Sequence, residues 1–219
     1  MKPDIDRAAT KAMEILIENG ITETPIDSLS ILLKCPGVRV LSFTKFATQA
    51  GIERNDLVPM FGKNQDAATF RIGMNIENVQ YVVVYNMRLP HEIIMRGVAR
   101  ELGHIVLGHD GITRPSPVRM AEAMCFAHHL ISPRPIVQML REQLPLTMNV
   151  FSDTTACSEE CVDDLRNIPG AHVPAELNRE VKRLFERGIM EYIRFYKDSQ
   201  KLDKSPVIDI GTYMDNYVD

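Results

Sequence analysis

The sequence has no excess of basic charge: 25 lysines and arginines stand against 29 aspartates and glutamates, a net charge of −4 at pH 7. A broad nucleic-acid footprint needs a basic stripe that releases counterions from phosphates, so direct nucleic-acid binding is not expected. Long apolar runs are missing as well. No run approaches the roughly 20 residues that span a bilayer, and no apolar stretch follows Met1-Lys2-Pro3. Membrane insertion and secretion are therefore not expected, and the chain reads as cytoplasmic. Cysteine is sparse: Cys35, Cys125, Cys157 and Cys161 are too few in 219 residues for a disulfide framework. Cys157 and Cys161 have the four-residue spacing of one helix face, where both could touch a metal, although two reduced helix residues are the simpler reading. There is no internal repeat and no low-complexity tract.

What is there is ordinary for a globular protein, with 45% hydrophobic and 25% charged residues. Apolar residues three and four apart from Asp4 to Asn19 predict an amphipathic helix stopped by Gly20, and a second helical run, opened by Pro25, covers Ile26 to Lys34. Val38 to Phe43 reads as a strand, and residues 44–65 carry no readable pattern. Thr69 to Met74 and Gln80 to Tyr85 read as two strands joined by a turn over Asn75 to Asn78, which implies a small antiparallel sheet. Helices follow from Leu89-Pro90 to about Leu107, with Gly108 and Gly111 available to end the first, then from Pro117 to Ile131 and from Arg134 to about Gln143. Ser158 to Asn167 and Pro174 to Tyr196 are two more. From Lys197 onward the pattern is weak and partial mobility is expected.

One absence carries chemistry. The run Arg100-Glu101-Leu102-Gly103-His104 has the shape of the zinc-peptidase motif H-E-x-x-H, with an arginine where the first ligand should be. Positions i and i+4 of a helix lie about 40° apart, so two histidines there converge on one ion while the intervening glutamate faces the water it activates. An arginine cannot replace the first histidine, because guanidinium stays protonated and has no lone pair to give. Gly103 keeps the helix slim where a strand or substrate must approach. The nearby His91-Glu92-Ile93-Ile94-Met95 lacks the last ligand and reads as a helix start.

The wider run Glu101 to His109, followed by Glu122-Ala123-Met124-Cys125-Phe126-Ala127-His128-His129-Leu130-Ile131-Ser132-Pro133, resembles the ImmA/IrrE family of metallopeptidases. That family shows H-E-L-G-H-x-x-L-G-H and then E-A-N/D-x-F-A-x-x-L-L-x-P. The resemblance spans roughly residues 5 to 195. It implies a single α+β, zincin-like domain over residues 1–219, with a small antiparallel sheet packed on helices. Residues 1–37 would be an N-terminal helical hairpin, 38–145 the peptidase-like core and 146–219 a helical C-terminal segment. It also implies Glu101 as general base and His104 and Glu122 as zinc ligands. Arg100 and Met124 depart from the pattern.

Two readings follow. In one, the protein is a cytoplasmic zinc-dependent endopeptidase, impaired to the extent that Arg100 disturbs the metal, acting on a helix-turn-helix repressor of a prophage or mobile element. Cys125, His129 or His109 would then replace the missing ligand. In the alternative, Arg100 pairs with Glu122 or Glu101 in the vacated metal space, and an inactive pseudopeptidase binds a regulatory protein without cleaving it. For His128 and His129, adjacent on one helix, at most one faces the site.

Overall fold

The computed structural model describes residues 2–53, 56, 65–72, 80–109, 116–199 and 204–219. Helix α1 (Ile5–Glu18) is capped by the Asp4 side chain, buries Ala8, Ala9, Ala12, Met13 and Leu16 along one face, and is followed by Gly20 in the left-handed region. Helix α2 (Ser28–Lys34) starts later than the sequence predicts. The Thr24–Pro25 peptide is cis, and Asp27 caps the helix by accepting from the Ser30 amide, so residues 26–27 are not helical.

The sheet corrects the expectation of an antiparallel one. Its strands are β1 (Val38–Ser42), β2 (Ala67–Arg71) and β3 (Tyr81–Tyr85), in the order β1-β3-β2. Strand β2 runs antiparallel to β3, with Thr69 opposite Val83, but β1 runs parallel to it, with Val40 opposite Val83. The central position explains the unbroken Tyr81-Val82-Val83-Val84-Tyr85 run. Val83 joins the main core on one face, while Val82 and Val84 meet Ala47, Phe46 and Phe70 on the other. That second face is covered by α3 (Phe43–Ala50), which lies in the stretch without a readable pattern. It is capped by Ser42 and closed by Gly51. The expected Asn75 to Asn78 turn, the end of the predicted strand at Met74, and Gly111 lie outside the described residues.

Helices α4 (His91–Val106), α5 (Pro117–Ile131) and α6 (Arg134–Gln143) agree with the spacing of their apolar residues and with their proline starts. Helix α7 (Met148–Thr155) is not predicted by the sequence, and α8 (Glu159–Asn167) and α9 (Ala175–Asp198) are. Cys157 falls in the connection before α8, so it does not share a helix face with Cys161 as their spacing suggests. Residues 204–219 pack on the body: Ile208 donates to the Leu146 carbonyl, and Tyr213 is fully buried, with its hydroxyl donating to the Ser132 carbonyl at 2.8 Å.

Helix α5 lies against both α4 and α1, and α4 also lies against β2 and β3. One apolar cluster runs from α1 through α4, α5 and α6 to α9. Among the described residues, no helix is long and apolar enough to cross a membrane.

Candidate functional site

Helix α4 carries the degenerate motif, and its glycines decide what comes close. A Cβ on Gly97 would sit 2.6 Å from Asp66 Cγ, so the bare backbone there admits the Asp66 side chain from just before β2. Arg100 lies three residues on, on the same side of the helix. A Cβ on Gly103 would lie 2.9 Å from Phe126 Cδ1 and 3.1 Å from the Ala123 carbonyl. The element that Gly103 admits is therefore helix α5, not a strand or a substrate.

Arg100 forks onto Asp66. Nη1 donates to Oδ2 at 3.1 Å and Nη2 to Oδ1 at 2.9 Å. Nη2 also donates to Glu101 Oε1 at 2.6 Å and to the Ala67 carbonyl at 3.0 Å, and Nε donates to Glu101 Oε1 at 3.1 Å. The Arg100 side chain is 13% exposed and that of Glu101 7%, so the three charges are largely withdrawn from water. Burial opposes the cation, but the Glu101 and Asp66 carboxylates outweigh it and raise the Arg100 pKa above its already high value. Of the partners the sequence offers Arg100, Glu101 is found. Glu122 is engaged elsewhere, and Asp66 is the partner that sequence reasoning missed.

The end of α4 builds the second half of the site. Gly108 takes φ of 68°, its amide donates to the Ile105 carbonyl, and the His109 amide donates to the His104 carbonyl. This paired closure turns the chain back so that His109 stands over His104. Their Nδ1 atoms are 2.9 Å apart, and His109 Nε2 lies 2.9 Å from Glu122 Oε2. Glu122 Oε1 accepts from the Asp4 amide at 2.8 Å, which brings the start of α1 into the cluster. Burial, reinforced by His109, Arg100 and Arg119, pushes His104 down to about 3, so its ring is neutral. Burial also lowers His109, with Glu122 opposing it. Two neutral rings sharing one contact require one donor: a proton on His109 Nε2 facing Glu122 leaves His109 Nδ1 to accept from His104 Nδ1.

The remaining candidates point elsewhere. Cys125 Sγ lies 3.5 Å from the Ile5 carbonyl and 3.6 Å from His129 Nδ1, and burial pushes its thiol up to about 12. His129 Nδ1 bonds the Cys125 carbonyl at 2.9 Å, and its ring packs on Tyr213. His128 faces Cys161. Neither adjacent histidine turns toward His104. Met124, where the family pattern has Asn or Asp, is half-buried on α5.

The donors that a zinc ion would need are committed to one another. Glu101 is held by Arg100, both oxygens of Glu122 are taken by Asp4 and His109, and a fixed guanidinium stands at the first ligand position. Among the described residues, no three His, Cys, Asp or Glu side chains form a group that could hold a metal ion. The residues present do not fit the three-ligand site that the motif implies. No protein-family model matches the sequence, and no curated protein matches it.

Proposed function

We propose that this chain is an ImmA/IrrE-like pseudopeptidase: a zincin-type domain in which an internal ion pair stands where the relatives hold zinc. It would act in the cytoplasm by binding a regulatory protein. The partner class that comes with the resemblance is a helix-turn-helix repressor of a prophage or other mobile element, held intact. The observation that carries the catalytic half of this reading is the fork of Arg100 on Asp66, with Glu101 tied into it. Glu101 Oε1 accepts twice from the guanidinium, so that oxygen is turned to Arg100 and not to an attacking water.

The test uses protein purified without chelator or a metal-binding tag, analysed for elements and then mixed with the repressor encoded beside its gene. The expected result is no stoichiometric zinc, even after dialysis against the ion, and a complex containing uncut repressor that survives Glu101→Gln. One zinc per chain, with repressor cleavage lost in Glu101→Gln, would overturn the proposal and establish the zinc-dependent endopeptidase in its place.

A further inference from the structure

A second polar cluster lies behind α5, apart from the site just described. Helix α7 ends at Ala156 in the left-handed region, with φ of 53°, and Ser158 caps α8 by accepting from the Cys161 amide. The chain therefore reverses within two residues, and Cys157 falls back over the first turn of α8. Its Sγ lies 2.7 Å from Cys161 Sγ, both thiols being free. That is well inside the roughly 3.5–4.0 Å at which non-bonded heavy atoms rest.

His128 completes the group. Its Nδ1 is 3.5 Å from Cys161 Sγ, and its Nε2, without a hydrogen-bond partner among the described residues, faces Asp164 Oδ2 at 3.9 Å. The ring has no solvent exposure. A buried imidazole with an unpartnered nitrogen costs free energy that an aliphatic side chain would not. A proton on Nε2, toward the carboxylate, leaves the Nδ1 lone pair aimed at Cys161. Both cysteines are buried, Cys157 at 2% and Cys161 at 1% exposure, and they differ in what they border. A cavity of about 400 Å³ is walled by Cys157, Ser158, Ser152 and Glu92, and by His91, which is exposed. Cys161 does not line it. The Cys157 contact, with burial, holds the Cys161 thiol well above its usual range, so Cys161 keeps its proton and donates it toward Cys157.

We propose that Cys157 and Cys161 are a redox-active dithiol that closes to an intramolecular disulfide by exchange with a small disulfide admitted through this cavity. Cys157, as thiolate, attacks one sulfur of the small disulfide, breaks its S–S bond and releases one thiolate, which takes up the proton that Cys157 gave to solvent. Cys161 then attacks Cys157 Sγ, and as the second small thiolate leaves it takes up the Cys161 proton, while the neutral His128 ring holds the Cys161 sulfur in place from Nδ1. Two electrons pass from the cysteine pair to the small disulfide, which departs as two thiols.

The test takes the reduced full-length protein, exposes it to bis(2-hydroxyethyl) disulfide, quenches with acid, alkylates and digests with trypsin. Residues 142–166 form one tryptic peptide that holds both cysteines. It is expected unalkylated and two hydrogen atoms lighter. Cys161→Ser is expected to trap a hydroxyethyl adduct on Cys157, and Cys157→Ser to give no adduct on Cys161. Alkylation of both cysteines after exposure overturns the proposal, and so does an adduct on Cys161. Bound metal that shields both thiols until a chelator removes it does so too, since the pair would then be a ligand set. Serine is close to cysteine in size, so both variants are expected to fold and to read the outcome.

Discussion

Arg100 donates five hydrogen bonds to Asp66, Glu101 and the Ala67 carbonyl. A cation so placed is the ion-pair partner of both carboxylates. Arg100→Met is expected to cost about 3–5 kcal/mol in urea unfolding, the range for breaking a buried pair from one side. Adding Asp66→Leu should return part of that loss. A loss under about 1 kcal/mol for the single change would place the pair with exposed ones and contradict this description. His104, His128 and His129 are each pushed to about 3 by burial first, whereas an unfolded histidine titrates near 6.5. The unfolded chain thus binds protons that the folded one refuses between these values. Above about pH 6.5 the three contribute nothing to the pH dependence, and below it stability should fall toward a slope of about 4 kcal/mol per pH unit. Urea unfolding at pH 7, 6 and 5 measures this, and a flat profile would contradict the neutral buried rings. Part of the site was legible at this scale: the ligand candidates His104, His109 and Glu122 form one chain of contacts, and Glu101 was foreseen as a partner of Arg100. Asp66 was not. An arginine in a helix that must pack implies a carboxylate somewhere, but nothing local says that it comes from 34 residues upstream, beside a stretch without periodicity.

Among the elements, α4 owes its position to two missing side chains. Gly97→Ala would drive a methyl group into the Asp66 carboxylate, with displacement costing about 1–3 kcal/mol and loosening the Arg100 fork. Gly188, in the middle of α9, is the contrast. Its nearest neighbour would be the Thr22 carbonyl oxygen at 3.6 Å, so Gly188→Ala should stabilise by about 0.5–1 kcal/mol. Opposite signs for two glycine-to-alanine changes, read as melting temperatures, are the expected outcome, and a stabilising Gly97→Ala would remove the reason given for that glycine. The helices that periodicity reveals are those with a long apolar face. Helix α7 escapes because it has eight residues, among them Val150, Thr154 and Thr155, whose branched side chains disfavour isolated helix, and is kept by the Thr147 cap and the burial of Phe151. The sheet was legible as strands, and the antiparallel course of β2 against β3 was legible too, but the parallel course of β1 was not. Alternation along Val38 to Ser42 says which side chains face the core and is silent on whether the partner runs parallel.

In the molecule as a whole, the last segment is held from within. Arg134 is fully buried and, among the described residues, has no carboxylate partner; its guanidinium donates to the Asp215 carbonyl at 2.8 Å and to the Ala171 carbonyl. Burial lowers its pKa, and the two carbonyls satisfy part of its donor set. Arg134→Ala should release residues 204–219 to limited proteolysis at protease levels that leave the parent intact, and equal resistance would show that Tyr213 alone suffices. The sequence could not foresee this, because a weakly patterned tail and a docked one look alike until their acceptors are known. The cluster around Arg100 and His104, by contrast, draws the polar groups it shows among the described residues from between Asp4 and Glu122. A chain emerging from the ribosome therefore holds all those charges before α6 to α9 have been made. Aspartate and arginine can meet early, and the second hundred residues arrive to close a body whose electrostatics are already settled.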